Sequence, residues 1–326
     1  MTALKRISSL PSPSKIQWKD YISQLLWNIH SPKEEFIACQ PIPKTEKIWY
    51  ESIDGQLSSI LYFPKQSPIQ NTPVIILTGP IFHPQITCTQ NTPFICDLRE
   101  KGHDVYVLTH RGHHKNKNTT AIDFSFDGIA REDISTALRS IREHSNYRRY
   151  HWVGQGLGGI LCLIWIAQSG WLALESLSLI NTPVQFEPVK ISRLSAILSP
   201  LSNASLHRLL QLKLACAKHW EFSPQERFWL YQSNTQLKVP LIQQLLLWFQ
   251  HGQICDVDGS ISYLKALGET SIPISIYSTN SEFYGGHLCA YPIMNIFPTA
   301  RWIESNAATN FPLFSDSLPR QIHICG

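Results

Sequence analysis

Hydrophobic positions along the chain fall into short apolar runs, separated by longer segments in which they recur at helical spacing. Ile48–Tyr50 and Leu57–Phe63 flank Asp54-Gly55, a dipeptide suited to a tight hairpin turn with positive φ. Val74–Leu77, Val105–Leu108, His151–Val153, Leu174–Ile180, Ile272–Ser278 and Ala300–Glu304 read as further strands. Between them, Pro93–Lys101 predicts a helix stopped by Gly102. Phe126–Glu143 predicts a longer one, with Ile129, Ile134, Leu138 and Ile141 in helical phase, and Ile160–Gln168 a helix apolar all round. Apolar strands alternating with helices predict a mostly parallel sheet, doubly wound with helices on both faces: an α/β fold.

Two stretches break the alternation. Residues 1–45 read as an N-terminal extension: a proline-interrupted start, then an amphipathic helix over Ile16–Ile29 with Trp18, Ile22, Leu25 and Leu26 on one face. Residues 181–270 hold no convincing buried strand and are rich in Leu, Trp and Gln, as a helical cap inserted between two sheet strands would be. The expected organisation is an extension (1–45), a first core part (46–180), a cap (181–270) and a second core part (271–326).

Composition narrows the function classes. A chain of 326 residues, 43% hydrophobic and 16% charged, can bury a large core. Its net charge of +4 comes with no dense Lys/Arg stripe, which argues against a nucleic-acid partner. The longest apolar runs, Ile160–Ala167 and Leu245–Phe249, are far shorter than the roughly 20 residues of a membrane span. With no apolar segment in MTALKRISSLPSPSK, the chain reads as cytoplasmic. Its 8 cysteines include no C-x-x-C pair, so neither a metal site nor a cofactor is expected.

The segment His151-Trp-Val-Gly-Gln-Gly-Leu-Gly-Gly159 lies between a strand and an apolar helix. That is the context of the nucleophile elbow, G-x-S-x-G, whose turn lifts a serine above the sheet edge. Gly154 and Gly158 occupy the flanking positions, and Gly156 stands where the serine belongs. A phosphate loop fits less well, because no Gly-Lys-Ser/Thr follows. A dinucleotide fingerprint also fits poorly: the segment lies mid-chain, and Glu175, about 20 residues on, falls at the start of the next strand instead of ending it.

The chain resembles bacterial α/β-hydrolases of the acid-lipase-like and polyester-synthase-like groups. The likeness runs through Gly102-His-Asp-Val-Tyr-Val-Leu-Thr-His-Arg-Gly112, Asp123-Phe-Ser-Phe-Asp127, Ala130-Arg-Glu-Asp133 and Val153–Gly159. It continues in Asp258-Gly-Ser-Ile-Ser-Tyr-Leu264 and Ile272-Pro-Ile274, and spans residues 45–315. The resemblance implies a triad at Gly156, Glu282 and Asn310, of which only the acid position keeps a suitable side chain. Thr309-Asn310-Phe311, where the base would lie, contains no histidine, and His287 and His323 sit in other segments. Of the two oxyanion donors implied, Leu157 retains an N–H, whereas the second position falls on Pro80, which has none.

Other candidates lie near the expected pocket mouth. His110, Arg111, His113 and His114, in a loop with Lys115 and Lys117, could bind an anionic head group or simply be solvated. Asp123, Asp127, Glu132 and Asp133 fit helix capping and the helix dipole, with Arg111 free to pair with one of them. In the expected cap, Trp229 and Trp248 could line an acyl pocket or pack as core. The expectation is a non-catalytic homologue that binds an apolar or acyl-type small molecule, or a protein partner. Its rival is a serine esterase or lipase-like hydrolase acting on acyl esters with displaced groups, such as a serine working with His113 or His114.

Overall fold

The strands appear where the apolar runs predict them. The computed structural model describes residues 46–80, 92–111, 124–186, 239–279 and 286–305, all within one unit, Lys44–Gly326. Strands β1 (Glu46–Glu51) and β2 (Leu57–Phe63) form an antiparallel hairpin. Its turn has Gly55 at φ 78° and a Gly55 N–H bonded to the Ser52 carbonyl at 2.8 Å. The remaining strands are β3 (Asn71–Leu77), β4 (His103–Leu108), β5 (Tyr150–Gln155), β6 (Leu174–Ile180), β7 (Ile274–Thr279) and β8 (Arg301–Ser305). They form one 8-stranded sheet in the order β1-β2-β4-β3-β5-β6-β7-β8. β2 is antiparallel to β4, and every pairing from β4 through β8 is parallel.

Every residue of β5 is buried, because the sheet is covered on both faces. On one face, Ile75, Leu77, Tyr106, Leu108 and Trp152 join the larger core. On the other, Val74, Ile76, Val107, Val153 and Ile180 pack with Phe94, Ile95 and Leu98 of helix α1 (Pro93–Glu100). Helix α4 (Leu157–Ser169) has no polar stripe because it is enclosed: Ile160 through Ile166 are all buried, and Trp165 stacks on Trp152 at 4.8 Å.

The long helix expected over Phe126–Glu143 is composite. It opens as α2 (Phe126–Gly128), passes through a π-helical stretch at Ile129–Ile134, and continues as α3 (Ser135–Ser145). The capping role expected of its carboxylates belongs instead to Ser125, whose Oγ accepts from the Gly128 N–H at 3.0 Å. Asp127 makes tertiary bonds: its carboxylate accepts from Gln244 Nε2 at 2.6 Å and from the Val257 N–H at 3.0 Å. Gln244 also accepts from the Phe126 N–H at 2.8 Å. Helix α5 (Val239–His251), part of the expected cap, is therefore fastened to the core. Beyond it lie α6 (Tyr263–Ala266) and α7 (Gly286–Ile296), the latter missed in the sequence because Pro292 interrupts it. The expected helix over Ile16–Ile29, and residues 187–238 of the expected cap, lie outside the described residues. Among the described residues, no helix is long and apolar enough to cross a membrane.

Candidate active site

The carboxyl ends of β3, β4, β5 and β6 converge around the turn between β5 and α4. Gly156 occupies that turn at φ 56°, ψ −122°, a region that L side chains rarely adopt. Its N–H donates to the Ile180 carbonyl at 2.8 Å, and its carbonyl accepts from the N–H of Gly159 at 3.0 Å. The neighbouring glycines are fixed by close approach. A Cβ on Gly154 would lie 2.5 Å from the Gly159 Cα, and one on Gly158 would strike the Leu77 carbonyl oxygen. The turn thus has the sharp strand-to-helix form of an elbow, with no side chain at its tip. α4 receives no side-chain cap, and the N–H groups of Gly159 and Ile160 in its first turn donate to the Gly156 carbonyl at 3.0 and 3.3 Å.

The loop after β3 closes one side. A Cβ on Gly79 would stand 2.9 Å from the Leu157 Cβ, which brings Thr78-Gly79-Pro80 against the residue following the elbow tip. Pro80 is buried there and has no N–H to donate. His110, fully buried, donates from Nε2 to the Thr78 carbonyl at 2.8 Å, and burial lowers its pKa. Its ring braces the loop.

Arg111 turns inward, in place of the ligand-facing role considered for it, and takes the pairing role. Its backbone N–H, Nε and Nη2 bond Asp133 at 2.8, 2.9 and 2.8 Å, and its Nη1 bonds Asp54 at 2.6 Å. Burial opposes the guanidinium charge, but the two carboxylates outweigh it and raise the pKa. Burial raises the Asp133 pKa, with the Arg111 N–H bonds working against it. The ion group joins the β1–β2 turn, the end of β4 and the π-helical stretch.

Trp248 is core, not pocket wall. It has no exposed surface, its indole N–H donates to the Cys255 carbonyl at 2.7 Å, and its ring lies 4.5 Å from that of Phe126. His113, His114, Trp229, Glu282 and Asn310 lie outside the described residues. Two polar residues of the site were not singled out in the sequence: Thr78 and Gln155, both buried beside the elbow. Their position at the ends of two adjacent apolar strands was the available signal. Among the described residues, no group of three or more His, Cys, Asp or Glu side chains is arranged to hold a metal.

No family model and no curated protein sequence matches the chain. Solved structures do. An α/β-hydrolase from Sphaerobacter thermophilus superposes with a TM-score of 0.55 at 14% identity, covering 84% of this chain and 97% of its own. The chain has the α/β-hydrolase fold. An N-formylmaleamic acid deformylase from Pseudomonas putida S16 aligns at TM-score 0.53 and 16% identity, over 83% of this chain and 96% of its own. An esterase from Rhodococcus aligns at 0.52 and 13%, over 79% and 89%. In this fold a ligand site is expected at the carboxyl ends of the parallel strands, where the Gly156 turn lies.

Proposed function

We propose that this α/β-hydrolase-fold protein does not hydrolyse esters and instead binds an apolar or acyl-type small molecule beside the elbow. The observation that carries the reading is Gly156: the strand-to-helix turn is kept while the position of the nucleophile has no side chain. Two further features support it. Thr309-Asn310-Phe311 supplies no imidazole where the resemblance puts the base, and Pro80 supplies no N–H where it puts the second oxyanion donor. Losing one such donor costs about 10²–10³ in turnover, and losing the nucleophile or base costs about 10⁶. The three changes lie on separate segments, so together they exceed what a single compensating group could restore.

The test is a panel of p-nitrophenyl esters from acetate to laurate, assayed with the full chain over a range of pH. The expected result is release of nitrophenol at the uncatalysed rate for every ester, together with a rise in melting temperature when medium-chain acyl compounds are added. Saturable turnover of any ester would favour the rival, a serine esterase with displaced groups.

A further inference from the structure

Gln155 ends β5, one residue before Gly156. It is 7% exposed, and neither its amide nitrogen nor its amide oxygen has a hydrogen-bond partner among the described residues. Thr78 is alike: 3% exposed, with its hydroxyl unpartnered among the described residues. The sheet register sets the two side by side. Leu77 pairs with Gly154 on the neighbouring parallel strand, so Thr78 and Gln155, the next residue of each, stand abreast about 4.8 Å apart. Strand alternation points both to the α1 face, since Ile76 and Val153, two residues earlier, and Ile180, the register partner of Gln155, belong to the core on that face.

Buried polar groups are almost always bonded, and those left unmet carry a desolvation cost with nothing to offset it. Here an amide donor, an amide acceptor and a hydroxyl are grouped, next to the strand-to-helix turn at Gly156. The row runs from Thr109, next to Leu108 on β4, through Thr78, Gln155 and Ile180 to Tyr277, and none of these side chains bonds the Thr78 hydroxyl or the Gln155 amide. The row also holds no charged side chain, and the buried cation nearest in sequence to this edge, Arg111, is committed to Asp54 and Asp133. An anionic head group would be buried there without a counter-charge. A neutral group with an acceptor and a donor side by side matches both sides of the Gln155 amide.

On the reading that the chain binds a small molecule beside the elbow, we infer that Thr78 and Gln155 hold its head group, and that this group is an unsubstituted carboxamide. The test measures binding to the full chain by calorimetry for octanamide, N,N-dimethyloctanamide, which lacks the N–H donors, and 1-octanol. The wild type is run beside the near-isosteric variants Thr78→Val and Gln155→Met. The wild type is expected to prefer octanamide over its dimethyl analogue by at least about tenfold, and each variant to lose that preference. Both variants should melt no lower than the wild type, because each replaces an unpartnered polar group with an apolar one of similar shape. Equal binding of all three compounds, unchanged in the variants, would overturn the head-group assignment and leave the binding reading standing. Failure of the wild type to bind any of them would overturn both. A marked fall in melting temperature in both variants would show that the two groups are satisfied within the fold and would also overturn the assignment.

Discussion

Gly156 removes two things at once: the Cβ from which a nucleophile would project, and the strain of holding an L-residue at φ 56°. Its neighbours remain as constrained as in a working elbow, because the start of α4 packs against β3 too closely for side chains. That closeness is testable. Gly158→Ala would press its methyl on the Leu77 carbonyl oxygen, a backbone atom that cannot swing aside. The expected cost is about 1–3 kcal/mol or more, read by urea unfolding. A neutral result would mean that α4 stands further from β3 than described. The residue scale is also where the sequence was most legible. The glycines at 154, 156 and 158 could be placed on an elbow from their spacing between an apolar strand and an apolar helix. For Arg111 the sequence offered Asp133 as one of four candidate partners, whereas Asp54, 57 residues away, meets it only once the sheet has formed.

At the scale of elements, the Arg111 ion group adds a buried polar tie between the β1–β2 turn, the end of β4 and the π-helical stretch, which also meet in the larger core. Asp133 is almost wholly buried, so Arg111→Met strands a carboxylate. Such a loss costs about 3–5 kcal/mol. Pairing it with Asp133→Leu should recover most of the stability, since no unpaired charge then remains in the interior. Unfolding free energies of the single and double variants decide this; a double variant as unstable as the single would contradict it. At the opposite edge of the sheet, His151 is buried with Nδ1 on the Ser176 hydroxyl at 2.8 Å. Burial, with His103 nearby, lowers its pKa from 6.5 to about 4. Between those values the unfolded chain binds a proton that the folded chain refuses. Stability should therefore fall as pH drops through this window, by up to about 1.4 kcal/mol per pH unit, and level off below pH about 4. Urea midpoints across that range for the wild type and His151→Gln test this, with the variant expected to show the shallower fall. The strands were predicted within about three residues because burial on both faces makes the central ones largely apolar. The π-helical stretch leaves no mark on the helical spacing of Ile129 and Ile134, and α7 was missed because it contains a proline.

At the scale of the whole molecule, the described strands and helices reproduce the sheet order and covering of an α/β-hydrolase, and the carboxyl edge of the sheet carries an elbow. Fold was readable from sequence because the alternation of apolar strands and helices runs the length of the core. The candidate site was less so, because Thr78 and Gln155 become neighbours only when β3 and β5 pair. The most direct test of the account is intact-mass measurement of the purified full chain after exposure to a broad fluorophosphonate probe. The account predicts an unmodified mass at saturating probe and long exposure, since Gly156 offers no nucleophile at the elbow. A stoichiometric adduct, mapped to any serine at the sheet's carboxyl edge, would contradict it.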